Sequence, residues 1–103
     1  MEQRKHSRYV VQIPITFSGE QIEGEGTASN LSTQGCAVES ERSAPLGSYI
    51  KLRLYLPDQA PIPVDVAAVR WSRSRAFGLE FIGMAVEDQQ RLQRFVAALN
   101  HPA

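Results

Sequence analysis

Two short clusters in this 103-residue chain combine side chains suited to chemistry. The first, Arg4-Lys5-His6-Ser7-Arg8, sets two guanidiniums four residues apart just before the first hydrophobic run. As a charge run alone it reads as a solvated basic arm. As chemistry it suits a guanine nucleotide: the planar guanidinium fork grips phosphate bidentately, meets the O6/N7 edge of guanine and stacks on purine faces. The second cluster, Asn30-Leu31-Ser32-Thr33-Gln34-Gly35, combines an amide, a hydroxyl and a glycine. Taken alone it is an ordinary turn, since these residues favour turns through local hydrogen bonds and positive φ. As a binding loop, Asn30 and Ser32 would offer acceptors to purine N–H groups, and Gly35 would let the backbone approach the ligand.

The elements that must position these residues are mainly strands. Tyr9, Val11, Ile13, Ile15 and Phe17 alternate with Gln12, Pro14, Thr16 and Ser18, a period of two that predicts a half-buried strand. Pro14 lacks a backbone donor, which predicts a sheet edge or a local bulge there. Residues 22–29 form a weaker strand thinned by Gly24 and Gly26, and Cys36-Ala37-Val38 a short apolar one. Alternation returns at Ile50, Leu52, Leu54 and Leu56 after the Pro45-Leu46-Gly47 turn. Ile62, Val64 and Val66 share one face, but Val69 and Trp71 fall on the other parity, so a β-bulge is expected near Ala67-Ala68. Phe77, Leu79 and Phe81 alternate with Gly78 and Glu80 in a last strand. Six strands with short turns predict an antiparallel barrel or sandwich. The period then changes: Leu92, Phe95, Val96 and Leu99 form one helical stripe, with Glu87 and Asp88 at its start, Arg91 four residues after Glu87, and Asn100 and Pro102 as stop signals. Residues 1–8 have no apolar pattern and read as a flexible arm on a single domain spanning 9–103.

Together the two clusters resemble the signature of the PilZ domain family, RxxxR and [D/N]xSxxG, here Arg4-x-x-x-Arg8 and Asn30-x-Ser32-x-x-Gly35. Val69-Arg70-Trp71, Phe77-Gly78-Leu79-Glu80-Phe81 and the terminal helix are similar to the family's closing elements, so the resemblance runs over residues 4–99. It implies an all-β-dominated fold, a six-stranded antiparallel barrel with a C-terminal α-helix, and a bacterial receptor for cyclic di-GMP that needs no other cofactor. It also implies that Arg4 and Arg8 take phosphates and guanine edges while Asn30, Ser32 and Gly35 hold the other side. Lys5 and Trp71 are further candidates, for phosphate and for a base, although its apolar strand assigns Trp71 to the core. Asn30 stands where Asp is the charged alternative, and Gln3 where many relatives have another arginine; both departures imply lower affinity, because charge-assisted hydrogen bonds are about twice as strong as neutral ones. Output would pass through an unidentified protein partner, with the arm ordered on binding.

Composition narrows the rivals. Eleven Lys and Arg balance eleven Asp and Glu, so the whole-molecule field does not favour a nucleic-acid polymer. The charge is nonetheless uneven: residues 20–41 hold five glutamates and no base, whereas Arg70, Arg73 and Arg75 cluster before Phe77. The single Cys36 and the absence of CxxC fit a reducing compartment, and no apolar run reaches the ~18 residues of a membrane span, so a cytoplasmic location without membrane insertion is expected. His6 and His101 have no ligand set around them, and Ser32 and Cys36 have no His-Asp partners, which argues against a metal site and against an enzyme. The closest alternative is a PilZ-fold interaction module that binds no nucleotide.

Overall fold

A computed structural model describes residues 8–99. The expectations placed on Arg4, Lys5, His6, Asn100, His101 and Pro102 lie outside them. Six strands, β1 (Tyr9–Ser18), β2 (Glu23–Leu31), β3 (Gly35–Glu39), β4 (Tyr49–Leu54), β5 (Ile62–Arg73) and β6 (Ala76–Gly83), precede a helix, α1 (Val86–Leu99). All neighbours are antiparallel and the sheet closes on itself in the order β1-β2-β3-β6-β5-β4, a barrel rather than a sandwich.

The period-two residues fill the interior. Ile13, Ile15 and Phe17 of β1, Ile50, Leu52 and Leu54 of β4, and Phe77 and Leu79 of β6 are all buried in one core. Burial of these side chains supplies the main folding drive, roughly 1.5–3 kcal/mol for each large aliphatic or aromatic side chain. Leu92 and Val96 of α1 belong to the same core, with Phe95 packed against it, whereas Leu99 stays 36% exposed. Arg91 fastens the helix: it donates to the carbonyls of Ala60 and Pro61 and to Gln59, and pairs with Asp88 at 3.3 Å. The partner is thus the i,i+3 carboxylate and not Glu87.

Two expectations about the strands change. Barrel closure removes every edge, so Pro14 is not an edge residue, and the register shift in β1 lies between Val10 and Ile13, before the proline. The missing donor is accommodated at the end of a ladder. Tyr55 N donates to Pro14 O at 3.0 Å, no bond can return from the proline nitrogen, and the β1–β4 register begins at Ile15↔Leu54. In β5 the slip falls at Asp65-Val66, opposite Ile50 to Leu52, rather than at Ala67-Ala68. Both bulge residues face outward, and Val66 leaves the inward set in which its parity had placed it.

Candidate functional site

Three bulges converge on one row of the outer barrel face. Register links Val10↔Asn30, Asn30↔Ala37, Ala37↔Gly78 and Gly78↔Trp71, a line crossing β1, β2, β3, β6 and β5. At this row β1 carries an extra residue after Val10, β2 one between Ala28 and Asn30, and β5 one between Val69 and Trp71. A bulge re-aims the side chains beside it. On β5 the consequence is that Arg70 and Trp71, neighbours in sequence, both lie on the outer surface.

The floor of the row is thin. A Cβ on Gly78 would overlap the Trp71 indole at Nε1, so the glycine is what allows the ring to lie across β6. Trp71 is 39% exposed, which corrects its assignment to the core. Arg73 Cζ sits 5.2 Å from the indole centroid, within cation–π range. Arg8, Gln34, Arg70, Trp71, Gly78, Leu79 and Glu80 enclose a groove of about 440 Å³, within the usual range for small-molecule sites. Arg70 Nε donates to Glu80 Oε1 at 2.6 Å, and Nη2 makes an ion-pair contact with the same oxygen at 2.6 Å.

The structure brings Arg8 to Asn30, places Arg8 and Trp71 in one groove, and gives the loop residues hydrogen bonds of their own. Arg8 Nη1 donates to Asn30 Oδ1 at 2.8 Å, and the same oxygen accepts from Ala37 N at 3.1 Å. Asn30 therefore holds the arginine and the β3 backbone, and its acceptor is already engaged. Ser32 is 2% exposed; its Oγ accepts from Gln34 N at 3.0 Å and Gly35 N at 3.2 Å, tying the loop into a turn. Gly35 is also buried, and a Cβ there would overlap the carbonyl oxygen of Leu79. The close approach of β6 by itself requires glycine here.

Gln34, Arg70, Gly78 and Glu80 were not singled out as site residues from the sequence. The outward parity of Gly78 and Glu80 against Phe77, Leu79 and Phe81 was a usable signal. Arg70 is outward by alternation with Val69, whereas the bulge that turns Trp71 outward beside it leaves no sequence signal. A larger hollow of about 720 Å³ lies elsewhere on the barrel, but its Glu23, Glu25 and Asp65 balance Arg42, Lys51 and Arg53, leaving no net field for an anion. The groove beside Trp71 has Arg8 and Arg70 against Glu80 alone, and Arg73 adds a further positive charge at the ring.

Cys36 lies beneath this face in the core. Burial pushes its thiol up to about 12, against the opposing pull of the Arg8 guanidinium. The thiolate needed for nucleophilic chemistry is thereby suppressed. A pH dependence follows. Above about pH 9 the unfolded chain releases this proton and the folded chain retains it, so stability is full below that pH and falls as pH rises towards 12. The slope is about 1.4 kcal/mol per pH unit. Urea unfolding at pH 7, 9 and 10 should show the parent losing stability relative to Cys36→Ala; a constant offset between the two would overturn this.

The fold and groove define a small β-barrel module with a positively charged, aromatic-walled recess. The chain belongs to the PilZ domain family, whose profile matches residues 2–98. Its fold is shared with the Bacillus subtilis inhibitor of motility MotI/DgrA, at TM-score 0.79 and 24% identity, covering 100% of this chain and 55% of that one. It is shared too with the PilZ domain of CeSA from a cellulose-synthesizing bacterium, at TM-score 0.74 and 20% identity, over 92% and 99% of the two chains. A third match is MrkH, a c-di-GMP-dependent transcription regulatory factor, at TM-score 0.77 and 16% identity, over 98% and 52%. The chain thus spans about half the length of MotI/DgrA and of MrkH. No curated protein sequence matches it at a significant level. Among the described residues no helix is long and apolar enough to cross a membrane.

Proposed function

We propose that this chain is a non-enzymatic receptor for cyclic di-GMP that passes the signal to a protein partner. The observation that carries the reading is the groove itself. A guanidinium held by Asn30 and an exposed indole line the same groove, which pairs a phosphate-and-guanine donor with a surface for a purine ring. Membership in the PilZ family and the c-di-GMP dependence of MrkH support the same ligand. In this reading Arg4 and Lys5 add to Arg8 from the N-terminal arm, which becomes ordered on the ligand and changes the surface a partner meets. Such a switch works only if the nucleotide prefers the ordered state.

Isothermal calorimetry with cyclic di-GMP tests this directly. A micromolar dissociation constant, corresponding to about −8 kcal/mol, is the expected scale, and the stoichiometry separates a single nucleotide from a stacked pair. Absence of heat and of thermal stabilisation at millimolar ligand would leave the chain as an interaction module.

A further inference from the structure

We infer that the outer face of β2, β1, β4 and β5 is a self-complementary surface on which a second copy of this chain docks, about a two-fold axis parallel to β1. Strand register supplies the layout, independently of any nucleotide. Thr16 of β1 stands between Glu25 of β2 and Arg53 of β4, and Ser18 stands between Glu23 and Lys51. All six side chains are exposed and line the hollow of about 720 Å³. The face thus carries an acidic column on β2, a hydroxyl column on β1 and a basic column on β4, with opposite charges at the same two levels. β1 keeps the charged columns two strand spacings apart, about 10 Å. Two further exposed charges flank them. Asp65, in the β5 bulge, lies beyond the basic column. Arg42 lies beyond the acidic one, where its N–H donates to Ser40 Oγ, which donates in turn to Glu25 O at 2.9 Å. Among the described residues none of these six charged groups forms a salt bridge.

From Arg42 to Asp65 the charge across the face runs positive, negative, neutral, positive, negative. Reversing the order reverses every sign. A two-fold rotation about an axis along β1, in the plane of contact, performs that reversal and leaves the levels unchanged. It sets Glu25 of each copy against Arg53 of the other, Glu23 against Lys51 and Arg42 against Asp65, while the Thr16 and Ser18 columns face themselves. Every charge pair then occurs twice, as an isologous dimer requires. A two-fold axis across the strands would set acid on acid and base on base, so the layout selects one orientation. Shape agrees with charge. Short residues at the centre and long ones at both sides make two copies meet rim to rim over their hollows. Exposed ion pairs are weak one at a time and screened by salt, so this is a concentration- and salt-dependent dimer whose charges supply orientation more than affinity.

Sedimentation equilibrium of the full chain, over a wide concentration range at low and at high salt, is the test. The parent should dimerise at low salt, with a dissociation constant at least about ten-fold weaker at ~1 M salt, where the screening length falls to about 3 Å. Glu23→Lys with Glu25→Lys sets base against base and should weaken the dimer at least about ten-fold at low salt; Lys51→Glu with Arg53→Glu sets acid against acid and should do the same. The chain carrying all four substitutions exchanges the columns, keeps the parent's net charge and is again self-complementary. It should dimerise with itself and fail to pair with the parent, because in the mixed pair like charges face each other. Neither damage to the fold nor a change in net charge produces that pattern. A parent that stays monomeric overturns the inference and leaves the face to a different protein or to solvent. A dimer indifferent to salt, to either double substitution or to the exchange overturns it as well, by placing the contact elsewhere on the barrel.

Discussion

An Arg8→Ala chain is expected to bind cyclic di-GMP at least about ten-fold more weakly than the parent while melting at nearly the same temperature. Arg8 is exposed, so its removal opens no cavity. Asn30 Oδ1 keeps its second donor, Ala37 N, so no buried group loses its only partner. The binding loss has a different origin. A bidentate arginine contact is worth about 1–3 kcal/mol, and ten-fold in affinity is about 1.4 kcal/mol. The bond to Asn30 means that the guanidinium enters the complex already oriented, with less rotamer entropy left to lose. Arg8→Lys keeps the charge without the fork and should fall between the two. Calorimetry paired with thermal melts checks both halves; a variant that binds like the parent removes Arg8 from the site.

The second large effect is on folding. Phe77 is fully buried and meets Phe17 edge to face, with ring centroids 5.2 Å apart at 75°. Phe77→Ala is expected to lower unfolding free energy by about 3–5 kcal/mol, through lost transfer energy and the cavity left behind. Against a total of roughly 5–15 kcal/mol for a domain of this kind, that brings the chain close to its threshold. Urea denaturation measures it, and a loss below about 1 kcal/mol would mean that the barrel collapses around the gap. Phe77→Leu retains most of the volume and should lose markedly less.

The barrel was legible because its strands obey a simple period. Ile13, Ile15 and Phe17, then Ile50, Leu52 and Leu54, then Phe77 and Leu79 enter the core as alternation predicts. What alternation could not convey is where a strand gains a residue. The slip lies at Asp65-Val66, two positions before the parity change suggests, and the bulge that turns Trp71 outward beside Arg70 leaves no trace in the alternation. A bulge is set by what the neighbouring strand can pair with, so its position depends on partners far away in sequence. The same holds for the site. Types and spacing point to Arg8, Asn30, Ser32 and Gly35, whereas the bonds of Ser32 within its turn and the close approach of β6 to Gly35 depend on neighbouring backbone that local pattern does not show. Arg70, Gly78 and Glu80 have outward parity on their own strands, but only the β5–β6 register brings them into one groove.

The row from Val10 to Trp71 also bears on when during synthesis such a protein can respond. β6 is the last strand made, yet it lies between β3 and β5 and supplies Gly78 to the middle of the row. A nascent chain released only as far as β5 can pair β1 with β2, and so Arg8 with Asn30, but has nothing to bring Trp71 beside them. In the proposed receptor, recognition would therefore report on completed closure, and a bound nucleotide would add its stabilisation to the whole domain at once, by RT ln(1 + [L]/Kd), rather than to any part that folds earlier. The recess is assembled by the strand that finishes the barrel.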